Sequence, residues 1–150
     1  MSDRWSAREA VVLKLADRLK GARALVFDFD GTLVDSNTIK QDGFRTVFEE
    51  ITDRIDEVMA FCIQQRHTPR DEKFRYVLEQ VLGQPYTPEV RQQLLARFDE
   101  LTTTRVAEAP PIAGAVEFLA LTGKSHLQAV LSGTPQEYLE RILALRAWTA

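Results

Sequence analysis

Asp28 and Asp30 stand one residue apart at the end of an apolar run, just before Gly31 and Thr32. Residues 24–29, ALVFDF, have the length and the β-branched or aromatic content of a buried strand, and Gly31 breaks the run. The two carboxylates therefore sit at the C-terminal end of a strand, where open α/β sheets bind their ligands. Strand alternation puts both on one side, close enough for their charges to interact unless a cation or a proton intervenes. Such a pair can divide a reaction, one carboxylate attacking while the other moves a proton. The plainer alternative is a strand end whose aspartates cap a turn.

A second constellation lies about a hundred residues later. Residues 126–131, HLQAVL, form another short apolar run, followed by Ser132, Gly133, Thr134 and Pro135. Thr134 is placed to N-cap the next helix, with Pro135 at its first position and Glu137 completing a capping box. Ser132 then stands just before a helix N-terminus, where free amides and the helix dipole attract an anion. The Ser132 hydroxyl and the Gly133 amide are thus candidate phosphoryl ligands. An ordinary strand, turn and capped helix is the alternative.

The run DFDGTLVDS, residues 28–36 without its first carboxylate's apolar lead, resembles the first motif of the haloacid dehalogenase-like hydrolases, carried by Asp28, Asp30, Gly31, Thr32, Leu33 and Asp35. The strand ending in Ser132 resembles the family's second motif. The resemblance implies a phosphoryl-transfer enzyme of the phosphoglycolate phosphatase-like kind. Asp28 would attack phosphorus to form an aspartyl-phosphate, and Asp30 would protonate the leaving oxygen and then deprotonate water. Gly31, Thr32, Ser132 and Gly133 would cradle the phosphate. Mg2+ would be held by Asp28 and the Asp30 backbone carbonyl, which suits a hard cation that takes few protein carboxylates and shares oxygens with a phosphate. Asp30 also separates reactions, because dehalogenases have no alkoxide to protonate, so phosphate ester hydrolysis ranks above dehalogenation.

The family's later motifs are a lysine some tens of residues after the second motif and then an acidic pair that completes the magnesium site. From Ser132 only 18 residues remain, and they read as one amphipathic helix with Tyr138, Leu139, Ile142, Leu143 and Leu145 apolar. Lys14, Lys20 and Lys124 all lie in the wrong place for that lysine. The expectation is a chain truncated relative to the family: a fragment of an enzyme, or a noncatalytic product that binds phosphate or a partner chain. A sugar phosphomutase shares the same aspartates and is a third reading. Two evident strands also leave a sheet edge exposed, a place for self-association.

Composition narrows the classes further. With 45% hydrophobic and 27% charged residues among 150, the chain can bury a core. A net charge of -3 and the lack of basic blocks interleaved with aromatics argue against nucleic acid as a partner. The apolar runs are far shorter than the roughly 20 residues that span a bilayer, and the start lacks a signal-peptide core. The single Cys62 fits a reducing cytoplasm, and its neighbours Met59, Phe61 and Ile63 mark it as a buried structural thiol.

Between the motifs the pattern is helical. Residues 37–51 and 55–66 carry apolar residues near helical spacing, although Gly43 weakens the first. Thr68 and Pro69 open a third helix that Gly83 ends, and Thr87 and Pro88 open a fourth. Arg66, His67, Arg70 and Lys73 cluster where the second and third helices meet. Arg66, Arg70 and Lys73 could clamp an anionic leaving group, while Asp71 and Glu72 among them favour a solvated helix end. His67 and His126 have no partners at zinc-ligand spacing. Pro110 and Pro111 mark the return to the core, a helix over residues 113–121 follows, and Ser6 with Glu9 starts a leading helix that carries Val11, Val12, Leu15 and Leu19, with Trp5 as its expected anchor.

The expected architecture is α/β: an incomplete Rossmannoid parallel-sheet core of the haloacid dehalogenase type from residues 1–35 and 109–150, with a helical bundle cap over residues 36–108. The implied ligand is a small phosphorylated metabolite, over which the cap would close.

Overall fold

The computed structural model of the chain describes residues 17–66 and 68–148. The expected leading helix of Trp5, Ser6, Glu9, Val11, Val12 and Leu15 lies outside the described residues, as does His67; residues 17–21 are helical. The elements then follow as β1 (Ala24–Phe27), α1 (Asn37–Glu49), α2 (Ile55–Gln64), α3 (Arg70–Tyr76), a π-helical segment (Val77–Leu82), α4 (Pro88–Glu108), α5 (Ala115–Thr122), β2 (Leu127–Val130) and α6 (Gln136–Leu145).

β1 and β2 pair in parallel, Ala24 with Leu127 through Phe27 with Val130. Parallel pairing brings both C-terminal ends to one edge of the sheet, so the segments holding Asp28 and Ser132 emerge side by side. The first strand is shorter than its apolar run. It stops at Phe27 because the Phe29 amide donates to Asp28 Oδ1 at 2.8 Å and the Phe29 carbonyl accepts from Leu33 (2.9 Å) and Val34 (3.1 Å). The strands are also less buried than their composition suggests. Phe27 meets Phe118 of α5 edge to face at 6.1 Å, whereas Val26 and Leu127 on the opposite face are 64% and 76% exposed. With two strands, only the face under α5 and α6 is covered by the described residues.

The helices between the motifs form as their spacing predicts. Thr87 caps α4 by accepting from the Val90 amide at 3.3 Å, with Pro88 at the first helical position, and Gly83 ends the preceding helix in the left-handed region at φ 65°. The third helix departs from expectation in its second half, where the π-helical segment buries both Val77 and Leu78. Gly43 weakens α1 in isolation, yet it is required where α1 crosses α4. A Cβ there would come within 2.5 Å of Thr102 Cγ2.

Two apolar clusters result. The first joins Phe44 and Phe48 of α1, Met59 and Cys62 of α2, Phe74 of α3 and Phe98 of α4. The second packs the turn after β1, through Phe29, Leu33 and Val34, against Val106, Ala109 and Ile142. Two connecting segments run side by side between the clusters: Asp35 donates its amide to Pro110 and Ile112 donates to Leu33, both at 3.0 Å. Arg146 fastens this junction, its Nη1 donating to the carbonyls of Val106, Ala107 and Ala109 at the end of α4 (3.2, 2.8 and 2.7 Å) while its guanidinium stacks on Trp148. A cation there satisfies carbonyls that the helix itself leaves open. No helix among the described residues is long and apolar enough to cross a membrane.

Candidate active site

The turn after β1 is built to present Asp30. Gly31 adopts φ 74°, and a Cβ would come 2.3 Å from Asn37 Nδ2, so only glycine closes the turn here. The Gly31 amide donates to the Val34 carbonyl at 2.7 Å, and the Thr32 amide turns back to Phe29 at 3.4 Å. Both amides are therefore engaged in the turn itself, and neither residue lines the cavity in front of the carboxylates. The phosphate-cradling role expected of Gly31 and Thr32 has no free amide behind it.

Asp30 is held from several sides. Ser36, fully buried, donates to Oδ1 at 2.6 Å, and Lys40 of α1 forms an ion pair with Oδ2. Thr134 and Ser132 approach the same oxygen with their hydroxyls at 3.4 and 3.5 Å. Asp28 is exposed, and beyond the Phe29 amide on its Oδ1 no described residue donates to it. Both carboxylates line one cavity of about 540 Å³, as the strand reading requires. Gly133 and Thr134 reach the same cavity from the second motif, with Ser132 behind them against Asp30.

Thr134 does not cap α6. Pro135 occupies the capping position without a side-chain hydrogen bond, so the expected Thr134 and Glu137 capping box is absent. The hydroxyl is drawn elsewhere: it accepts from Lys40 Nζ at 2.8 Å, and the Thr134 amide donates to Ser132 Oγ at 3.1 Å. A tertiary contact to a charged pair outweighs a local cap, since hydrogen bonds involving ions are about twice as strong as neutral ones.

Lys40 is the residue that the sequence pattern did not single out. The lysine expected by resemblance follows the second motif, so attention falls downstream. Lys40 instead lies four residues after Ser36, one turn into α1, on the face turned toward Asp30. That i to i+4 spacing from a residue beside the carboxylate was the available signal.

The basic cluster divides in the structure. Arg70 is committed to an ion pair with Asp99 of α4 and lies over the rings of Phe98 (5.5 Å) and Tyr138 (5.1 Å). The Asp99 carboxylate beside the Tyr138 hydroxyl, together with burial, raises that phenol's pKa. Lys73 is 6% exposed, which ends the solvated-helix reading for this residue. Arg66, Arg70 and Lys73 all line the cavity that Asp28 and Asp30 line. Asp71 is turned away, accepting from Tyr86 at 2.5 Å and from Arg91 at 3.0 Å, and Glu72 is exposed. Cys62 is buried beneath, its thiol pushed up to about 11 by burial, as an inert core thiol should be.

The profile of the haloacid dehalogenase-like hydrolase family matches residues 25–147. No curated protein sequence matches the chain. Among solved structures, a hydrolase from Pseudomonas syringae superposes with a TM-score of 0.62 at 19% identity, over 83% of this chain and 56% of its own. CbbY from Rhodobacter sphaeroides, in complex with xylulose-(1,5)bisphosphate, gives 0.61 at 18% identity over the same shares. The HAD-hydrolase YfnB from Bacillus subtilis, bound to magnesium, gives 0.53 at 16% identity, over 84% of this chain and 60% of its own. At these identities the likeness is one of fold. The chain spans less than two thirds of the length of these proteins.

Proposed function

Because the chain belongs to the haloacid dehalogenase-like hydrolase family, we propose that it is a phosphatase of a small phosphorylated metabolite, working through an aspartyl-phosphate on Asp28 with magnesium bound. The observation that carries this reading is the cavity itself, in which an exposed, sparsely bonded carboxylate stands beside a second one held by Ser36 and Lys40. In the first step an Asp28 oxygen would bond to phosphorus as the ester P–O bond breaks, and Asp30, having first taken up a proton from solvent, would pass it to the departing oxygen. In the second, Asp30 takes a proton from water as the water oxygen attacks phosphorus, releasing Asp28 and inorganic phosphate.

The donor set suits magnesium. Asp28 keeps one oxygen without a donor, and no N–H or O–H among the described residues donates to the Asp30 carbonyl. Among the described residues no group of three acidic, histidine or cysteine side chains could hold a metal ion, so what this chain would offer such an ion is Asp28 and the Asp30 carbonyl. The ion supplies positive charge against the phosphoryl oxygens. Magnesium in YfnB and a bisphosphate in CbbY lend this reading support. In the same reading the helices of residues 36–108 act as a cap over a core of residues 1–35 and 109–150, and the unpaired Cys62 suits a reducing cytoplasm.

Lys40 serves in this scheme as the cation beside the reacting carboxylates. Lys40→Met is expected to lower turnover on the order of 10²-fold, with Lys40→Arg recovering part of it, measured as kcat against KM. The reading as a whole is tested by assaying phosphate release over a panel of phosphorylated metabolites with magnesium and with EDTA. Release that depends on magnesium is expected. Release unaffected by EDTA, or none from any ester, would remove it.

A further inference from the structure

Lys73 is an ammonium group in the wrong surroundings for a purely structural role. It is 6% exposed, and its described contacts are the Arg66 carbonyl at 3.3 Å and the face of the Phe44 ring at 5.1 Å. No acidic side chain among the described residues pairs with it. The carboxylates next to it in sequence are spent or exposed, Asp71 on Tyr86 and Arg91 and Glu72 in solvent. Asp99 of α4, which lines the same cavity, pairs through Oδ1 with Arg70 and makes no ion pair with Lys73. Removing a charge from water costs several kcal/mol unless a counter-charge meets it, and a carbonyl with a ring is a weak substitute. Burial holds the Lys73 pKa below its usual value; the neighbouring Cys62 opposes that shift, and the positive charge of Lys40 adds to it. The two ammonium groups thus feel each other within one cavity, and Lys73 itself has no carboxylate partner among the described residues.

Lys40 is answered by Asp30; among the described residues no carboxylate forms an ion pair with Lys73, and beside it lies only the weakly acidic Cys62 thiol. Asp28 and Asp30 fix where the phosphoryl group would lie, and Lys73 lines the same 540 Å³ space from α3. A space of this size accommodates a small metabolite. We propose that Lys73 forms an anion subsite for the leaving group, so that the preferred substrates are phosphate esters carrying a second negative group, a carboxylate or another phosphate. This rests on the Asp28-centred phosphatase reading and specifies its substrate class. An uncharged leaving group strands Lys73 unpaired and buried in the complex; an anionic one removes that penalty.

The test pairs esters that differ in this charge: phosphoglycolate and a sugar bisphosphate against glycerol phosphate. Each is titrated calorimetrically into the wild-type protein, Lys73→Met and Lys73→Arg, and each is assayed for phosphate release. Methionine keeps the unbranched stem over Phe44, and melting curves identify any variant that fails to fold. Lys73→Met is expected to weaken binding of the two anionic esters by about 10- to 100-fold, the range of one charge-assisted hydrogen bond, and to leave glycerol phosphate within about twofold. Lys73→Arg should retain most of the discrimination. Loss confined to phosphoglycolate assigns a carboxylate, and loss confined to the bisphosphate assigns a phosphate. Equal weakening of all three esters, no weakening, or no binding of any by wild type overturns the subsite. Selective binding without phosphate release keeps the subsite and sinks the phosphatase; release without discrimination does the reverse.

Discussion

On the proposed mechanism, replacing Asp28 with Asn is expected to lower magnesium-dependent phosphate release by on the order of 10³-fold or more, and to abolish the phosphorylated protein that acid quenching should trap in the wild type. An amide has no anionic oxygen to bond to phosphorus, so the covalent path is closed and not merely slowed. Folding should be untouched. Asp28 is exposed, its one hydrogen bond accepts the Phe29 amide at 2.8 Å, and an asparagine carbonyl oxygen accepts the same bond. Melting temperature and intact mass after quenching are the two measurements that separate chemistry from stability. Turnover at the wild-type rate in a folded Asp28→Asn protein would mean that the nucleophile is some other group.

The largest effect on stability is expected at Phe74. Its ring is fully buried and stands 5.3 Å from Phe44, 5.4 Å from Phe48 and 6.0 Å, edge to face, from Phe98, so it joins α1, α3 and α4 at one point. Phe74→Ala removes the ring's transfer free energy and leaves a cavity that three neighbouring rings are too rigid to fill, for a loss of about 3 to 5 kcal/mol. Against a total stability of about 5 to 15 kcal/mol this is a large share. Urea denaturation measures it. Phe74→Leu, which keeps most of the volume, should cost less than half as much. An alanine variant within about 1 kcal/mol of wild type would show that the aromatic cluster does not hold these helices together. Because Lys73 precedes Phe74 on the same helix, the alanine variant should also lose order in the cavity wall.

The parts of the fold that were legible in the sequence are those written in local physics. The apolar lead into Asp28 and the break at Gly31 located the strand end, and Thr87 with Pro88 located the start of α4 because cap and fixed φ act within one turn. The four helices followed from apolar spacing together with these cap and stop residues, although the π-helical turn at Val77–Leu82 did not. What escaped was decided by contacts between distant segments. Thr134 carries every local sign of a helix cap, but a charged pair contributed by residues 30 and 40 claims its hydroxyl. Lys73 follows two acidic residues, Asp71 and Glu72, that should keep it solvated, and only the positions of Tyr86 and Arg91 show that Asp71 faces elsewhere. Gly43 reads as a defect until Thr102 is seen against it. The exposure of Val26 likewise depends on what covers a face, which no period within the strand encodes.

One ion pair ties these levels together. Lys40 belongs to the first helix after the paired connecting segments, while Asp30 and Thr134 belong to the turns beside the sheet. The bond therefore straddles the junction, and any swing of the helices about the segments at Asp35 and Pro110 must stretch it. If the helices do swing, a ligand that competes for Asp30 would loosen this bond, and occupancy of the carboxylates and the angle of the helices would be linked. Because Lys40 and Asp30 expose only 26% and 17% of their side chains, added salt should screen this pair little, and the tether should hold across ordinary ionic strengths.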